Sequence, residues 1–132
     1  MKTISVFGIL WWGNVFIVLS RHSGITATIR FIGRSCQLLP MVKENLGAYS
    51  NRIDFLLERF PFLFIGRKQR CLLRGLLLYF FGKRRRMDIR LHFGSKASET
   101  GFDTHCWITH EHKVQFEVAD VVNQYTPLVE YP

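Results

Sequence analysis

Cysteine is scarce in this chain of 132 residues, and the few cysteines present show no disulfide pattern. Cys36, Cys71 and Cys106 are odd in number and have none of the short spacings of a disulfide framework. We therefore expect no disulfide scaffold and a reducing, cytoplasmic compartment. At least one thiol must stay free or pair with another chain.

A full-length membrane span is also missing. The most apolar run extends from Ile4 to Leu19, and it contains Asn14 and two glycines. It falls short of the roughly 20 residues that cross a bilayer, and it lacks the small-residue cleavage site of a secretory signal. We predict a helix in residues 4–19 that is buried or docks on a partner, and membrane association through it stays open.

No internal repeat, low-complexity tract or linker marks a domain boundary. Residues 1–132 are therefore expected to form a single domain with its own hydrophobic core, since 48% of the chain is hydrophobic. Within it, a helical part covers about residues 1–60 and a catalytic part about residues 61–132.

Acidic residues are few, 10 against 18 lysines and arginines, which leaves a net charge of +8. The excess lies in "GRKQRCLLR" and "GKRRRMDIR", on either side of one apolar segment. Aromatic residues do not alternate with these cations as a base-stacking surface requires, so we expect no nucleic-acid partner. Solvated helix ends, an acidic protein or a membrane surface would explain the charge.

Two helices follow from hydrophobic spacing. In residues 41–60 the apolar positions recur at helical intervals up to Pro61, which stops the helix; they are Val42, Leu46, Tyr49, Ile53, Leu56, Leu57 and Phe60. The run "CLLRGLLLYFFGKRRR", which begins at Cys71, is apolar nearly all round and ends in cations. Such a helix is predicted to lie in the middle of the domain.

The period then changes to that of strands. Ile89, Leu91 and Phe93 alternate with polar residues, and a loop, "GSKASETG", follows. Alternation returns in residues 102–109 and 114–118, with "HEHK" as the turn between them. Helices followed by an antiparallel meander indicate an α+β fold.

Histidines are concentrated in this hairpin, which raises the possibility of a metal site. His105, His110 and His112 have the spacing H-x4-H-x-H. On a strand, however, His110 points away from the face of His105, and His110 and His112 fall in the turn. An exposed polar turn is therefore expected, and neither a metal nor another cofactor.

The hairpin also predicts an oriented histidine. If the loop is the three residues 110–112, Thr109 faces Lys113, Trp107 faces Gln115, and His105 lies opposite Glu117. Paired Cβ atoms are only about 5 Å apart, so the carboxylate can hold one imidazole nitrogen and leave the other free as a base. A loop of two residues would shift the register and remove this direct pairing.

Cys71 is the candidate nucleophile for this base. It stands at the start of the central helix, where unpaired amides and the helix dipole stabilise a thiolate. The alternative is that Cys71 is a small core residue, as a lone cysteine on an apolar helix often is. Cys36 and Cys106 are weaker candidates, since Cys106 faces away from His105 on its strand.

Two motifs here match a known family. A Cys-Leu-x-Arg-x-Leu-x-Leu helix start is matched by Cys71, Leu72, Arg74, Leu76 and Leu78, and a Phe-x-x-His-x-Trp-[Val/Ile] segment is matched by Phe102, His105, Trp107 and Ile108. The region from about Phe62 to Glu117 thereby resembles the lasso-peptide leader peptidases, a family in the transglutaminase-like branch of papain-type cysteine peptidases. Glu117 stands where aspartate is more usual, and Cys106 replaces a small residue.

The resemblance implies a transglutaminase/papain-like fold and a peptidase that cuts a ribosomally made lasso precursor between leader and core. Cys71, His105 and Glu117 would be catalytic. Arg74 would hold substrate or a structural carboxylate, Trp107 would contact substrate, and Gln69 is a candidate oxyanion donor beside the Cys71 amide.

The resemblance also implies partners. The chain is expected to be too short to include a leader-recognition domain, so a separate leader-recognition protein would deliver the precursor peptide, and an ATP-dependent lasso cyclase would close the ring. Two other functions stay open. An acyl or glutamyl transferase would use the same three residues, and a non-catalytic membrane or protein adaptor would use the apolar start and the positive charge.

Overall fold

Helices occupy the first two thirds of the chain, and a small antiparallel sheet follows. The computed structural model describes residues 6–42, 44–64 and 70–132. Its elements are α1 (Val6–Ser23), α2 (Ile25–Leu38), α3 (Leu46–Arg59), a 3-10 turn (Pro61–Leu63), α4 (Arg70–Arg84), β1 (Ile89–Ser98), β2 (Gly101–His110), β3 (Lys113–Val114), α5 (Ala119–Val122) and β4 (Thr126–Tyr131). This order confirms the α+β prediction.

The apolar helix α4 is the centre of the molecule, as its composition predicts. Every residue from Gly75 to Gly82 is buried. The helix contacts α1, α2 and α3 as well as β1 and β2. A side chain at Gly75 would overlap the sulfur of Cys106 on β2, so this glycine permits the close approach of α4 to the sheet. That approach brings the start of α4 towards β2.

The apolar start of the chain forms α1, which has one buried and one exposed face. Ile9, Phe16 and Ile17 are fully buried, whereas Phe7 and Trp11 are 73% and 58% exposed. Residues 4 and 5 of the predicted segment lie outside the described residues. Within the described ranges, no helix has both the length and the apolarity needed to cross a membrane.

The structure adds α2, which has no counterpart among the predicted elements. Threonine and glycine in "ITATIRFIGRSCQL" weaken its helical signal. Its buried positions nevertheless recur at helical spacing, at Thr28, Ile29, Ile32 and Cys36. Tertiary burial of that face against α1 and α4 therefore decides the conformation.

Helix α3 begins later than predicted and ends where predicted. Asn45 caps it, because its Oδ1 accepts a bond of 2.7 Å from the Gly47 amide. The helix ends at Arg59, and the 3-10 turn starts at Pro61. Proline therefore stops α3, as the sequence predicts.

The sheet has the strand order β3-β2-β1-β4. Its first three strands form the predicted antiparallel meander, and β4 has no counterpart among the predicted elements. β4 returns to pair with the free side of β1 instead of adding beside β3. β1 also continues to Ser98, so most residues of the predicted loop "GSKASETG" belong to a strand. Pairing with both neighbours keeps this polar stretch extended.

The predicted register of the β2–β3 hairpin is wrong. His110 pairs with Lys113 and Thr109 with Val114, so the loop has only Glu111 and His112. Both loop residues have positive φ angles, 52° and 66°, as in the two-residue type I′ turn. β3 ends at Val114, so strand pairing does not place His105 opposite Glu117 or Trp107 opposite Gln115.

Candidate active site

Cys71 lies in the first turn of α4, next to the imidazole of His105. It is the second residue of α4, and the backbone N–H groups in the first turn of a helix generally point out of its N-terminal end. Its thiol lies near enough to the imidazole of His105 on β2 to raise the pKa of that histidine, and both side chains line the same cavity. The cysteine and the histidine that the sequence singles out are therefore neighbours, across 34 residues of chain.

Glu117 completes the group from the other side of the imidazole. Nε2 of His105 bonds to Oε1 of Glu117. Nδ1 is then the ring nitrogen left for the sulfur of Cys71. The side chains of His105 and Glu117 are only 18% and 16% exposed, so water screens this pair weakly. The three predicted catalytic residues form one chain of contacts.

A left-handed residue brings Glu117 to this position. Gln115 still bonds to β2, its amide donating to the Ile108 carbonyl at 3.1 Å. Phe116 then has a φ of 60°, which breaks the alternation of an extended strand. Such a backbone costs a non-glycine residue about 1 to 2 kcal/mol. The turn replaces strand register in aiming the carboxylate at His105.

Aromatic rings hold the plane of the His105 imidazole. Tyr125 stacks on it with centroids 5.0 Å apart, and Trp107 lies 6.0 Å away at an interplanar angle of 21°. Trp107 is buried and also stacks on His92. A side chain on Gly94 of β1 would collide with the Trp107 ring, so that glycine makes room for the indole.

The contacts of His105 favour its charged form. Bonds to Cys71 and to Glu117 raise its pKa to about 9, against the opposing effect of partial burial. The imidazole is therefore protonated at neutral pH. A cation next to the sulfur stabilises a thiolate, which is the nucleophilic form of cysteine.

The other cysteines are poor nucleophile candidates. All three thiols are free, but Cys36 and Cys106 are buried and only Cys71 is partly exposed. Burial raises the pKa of Cys36 to about 11 and that of Cys106 well above its usual range. Burial therefore keeps both in the unreactive thiol form.

A cavity of about 600 Å³ opens beside the cysteine and the histidine. Its lining is mainly apolar and aromatic, with three polar side chains from β2, and comprises Ile25, Cys71, Leu72, Phe93, Phe102, Asp103, Thr104, His105, Cys106 and Tyr125. Its size lies within the range of ligand pockets. The sulfur of Cys71 thus lies beside a space that can hold part of a ligand.

Comparison with known proteins agrees with this geometry. The transglutaminase-like superfamily matches residues 15–130. The chain belongs to the transglutaminase-like superfamily. No curated protein and no solved structure matches it. This superfamily includes cysteine peptidases and transferases, and membership supports the predicted transglutaminase-like fold.

Two residues predicted to bind substrate have structural contacts in this superfamily member. Arg74 forms an ion pair of 2.6 Å with Asp54 on α3, which is the structural carboxylate weighed as its alternative partner. Trp107 packs beneath His105 as described above. A direct contact of either residue with substrate stays a prediction, and Gln69 lies outside the described residues.

Some site residues of this superfamily member carry no signal in the sequence. Tyr125 follows the short helix α5, and Asp54 lies on α3, so both reach the site only through tertiary packing.

The two histidines of the turn, His110 and His112, lie away from His105. His110 Nδ1 lies 3.3 Å from the Asp88 carbonyl, and His112 belongs to the two-residue loop. In residues 6–42, 44–64 and 70–132, no group of three or more His, Cys, Asp or Glu side chains has a metal-binding arrangement.

Proposed function

We propose that this chain is a cysteine peptidase that removes the leader from a ribosomally synthesised lasso precursor peptide. The placement of Cys71 and His105 on one cavity, with the histidine itself held by Glu117, carries the proposal. The two motifs of the leader peptidases, at the start of α4 and on β2, supply the substrate class. A separate leader-recognition protein and an ATP-dependent cyclase are its proposed partners.

In the first half of the reaction, the sulfur of Cys71 attacks the scissile carbonyl carbon with its proton held on His105. The Cys71 backbone N–H, in the first turn of α4, donates to the developing oxyanion. The protonated imidazole then gives its proton to the leaving amine, and the C–N bond breaks. A thioester to Cys71 and a free core amine result.

In the second half, His105 takes a proton from water, and the resulting hydroxide oxygen bonds to the thioester carbon. The C–S bond breaks, the leader leaves as a carboxylic acid, and the thiolate and imidazolium are restored. Glu117 stays ionised throughout and accepts the Nε2–H bond. It orients the ring and stabilises the imidazolium, as the acid of a triad does.

The edge of β2 supports an extended peptide as substrate. In the part of the chain that the structure describes, β3 pairs with β2 at Thr109 and His110, and beyond β3 the Gln115 amide bonds to the Ile108 carbonyl. Because the Ile108 carbonyl points to this edge, the backbone groups of Cys106, Thr104 and Phe102 point there too, next to His105. Peptides commonly bind such an edge by adding a strand.

The test is reconstitution with a short precursor peptide encoded next to this chain, together with the neighbouring recognition protein. Mass spectrometry should detect separate leader and core fragments for wild type and for His110→Ala, but not for His105→Ala. In water enriched with ¹⁸O, a peptidase places the label in the leader carboxylate. A leader joined to an added amine would instead show a transferase, and an intact precursor would overturn both.

A further inference from the structure

Arg74 connects two helices to the segment that carries Glu117. Its Nε bonds to Asp54 Oδ1 at 2.6 Å, and its Nη2 lies 3.3 Å from the buried Ser50 hydroxyl. The same Nη2 donates to the Phe116 carbonyl at 3.1 Å. One guanidinium on α4 therefore holds α3 and the residue just before Glu117.

This contact falls where strand pairing no longer supports the chain. β3 ends at Val114, and Phe116 has the left-handed backbone. The Phe116 ring lies close to Gly47 at the start of α3, and its carbonyl is bound by Arg74. Tertiary contacts, not the β-ladder, therefore set the direction in which the next residue points.

We propose that Arg74 is a positioning residue, which keeps the Glu117 carboxylate on His105 by holding the Phe116 carbonyl. The proposal rests on the proposed function, because it takes Cys71, His105 and Glu117 as the reacting group. It gives Arg74 a role in the reaction without contact to the substrate.

The geometry requires an arginine and not merely a cation. The planar guanidinium bonds to Asp54 on one side and to Ser50 and Phe116 from a second nitrogen. A lysine ammonium is a single point donor on a flexible stem and cannot reproduce this fork. Arg74→Lys should therefore behave like Arg74→Met, although it keeps the charge.

The first measurement follows His105 directly by NMR. The groups that face its imidazole are Cys71, Glu117 and Tyr125, and Asp103 lies on the same strand. In wild type the imidazole should titrate near pH 9. In Arg74→Met and Arg74→Lys the midpoint should fall part of the way towards the ordinary histidine value of about 6.5, because Cys71, the larger cause of the raised pKa, stays beside the ring while Glu117 no longer holds it. His105→Ala identifies the signal.

Arg52→Met is the matched control. Arg52 also pairs with a carboxylate, Glu44, at 2.7 Å and lies on the same helix as Asp54, but its ion pair does not involve the Glu117 segment. Its removal should leave the His105 midpoint unchanged. An equal shift in Arg52→Met and Arg74→Met would overturn the proposal, as would an unchanged midpoint in a folded Arg74→Met.

The second measurement is a double-mutant cycle on leader release. Alone, Arg74→Met should slow the reaction by up to about 10²-fold, the cost of a misplaced group. In the background of Glu117→Gln it should cost less than about 2-fold, because the two residues act through one contact. If the rate losses of Arg74→Met and Glu117→Gln are additive, the two residues act independently, which would contradict the positioning role of Arg74.

A milder variant covers the case in which Arg74→Met does not fold. Asp54→Asn keeps Arg74 but weakens the bond that orients it, and the His105 midpoint should shift in the same direction by less. An unchanged midpoint would count against the proposal. The NMR titration needs no substrate, so it tests the role of Arg74 even if no leader is ever cleaved.

Discussion

The carboxylate of Glu117 bonds to His105 from outside the β-ladder. Strand pairing ends at Val114, and the left-handed backbone of Phe116 turns Glu117 towards the imidazole. The pair therefore depends on one strained residue and its anchors. Changes at those anchors should affect the chemistry without altering the strands.

The first prediction concerns Cys71 as the nucleophile. Cys71→Ala should abolish leader release, because no other thiol is both exposed and in contact with His105. Cys36→Ala and Cys106→Ala remove buried side chains and should mainly lower the free energy of unfolding. Mass spectrometry with precursor and recognition protein present measures the first effect, and urea denaturation the second. Full activity of Cys71→Ala would rule out the mechanism.

The three residues proposed as catalytic should not contribute equally to the rate. His105→Ala should lose about 10²- to 10⁴-fold in rate, since the imidazole serves as base and acid. Glu117→Gln should fall between wild type and His105→Ala, and Glu117→Asp should keep part of the activity. His110→Ala is the control and should cost little. The rates are measured on variants that circular dichroism shows to be folded; a turn histidine as important as His105 would refute the assignment.

The contribution of charged His105 to the free energy of unfolding should decrease as the pH rises. Its folded-state pKa is raised to about 9, above the ordinary value of about 6.5 for an unfolded chain. The folded state therefore binds the proton more tightly, so the added stability is complete below about pH 6.5 and disappears as the pH rises through about 9. Urea denaturation of wild type and His105→Ala should give a difference that shrinks over this range. A difference that grows with pH would contradict it.

The close approach of α4 to β2 gives a stability prediction. In Gly75→Ala the new methyl would overlap the Cys106 sulfur, which should cost about 1 to 3 kcal/mol. Adding Cys106→Ala removes that sulfur and should restore part of the loss. Chemical denaturation of the single and double variants measures both effects. Additive destabilisation would show that Cys106 is not the obstacle.

Metal removal provides a simpler check. The proposed steps use only a thiol, an imidazole and a carboxylate, so leader release should survive incubation with EDTA. The measurement compares the rate before and after chelation. Loss of activity that zinc restores would favour the H-x4-H-x-H motif as a metal site.

Local sequence patterns determined the helices around the site and two of its residues. The nearly continuous apolar run after Cys71 requires burial on all sides, so its central place follows from hydrophobicity alone. Pro61 ends α3 because its ring excludes a helical conformation for the residue before it. Cys71 and His105 follow from their places at a helix start and on a strand, and their two motifs led to the family.

Tertiary structure decided the contacts that orient these residues. Glu-His gives no signal for a tight turn, unlike Asn-Gly, so the two-residue loop at Glu111 and His112 could not be predicted, and the predicted register failed. The bond between Glu117 and His105 forms despite the different register, because Phe116 takes a left-handed conformation. The residues next to Phe116 in sequence do not predict that conformation. Its anchors, Arg74 on α4 and the start of α3, are distant in sequence. Such a conformation persists only where the surrounding structure offsets its cost, and here the offsetting contacts come from residues distant in sequence.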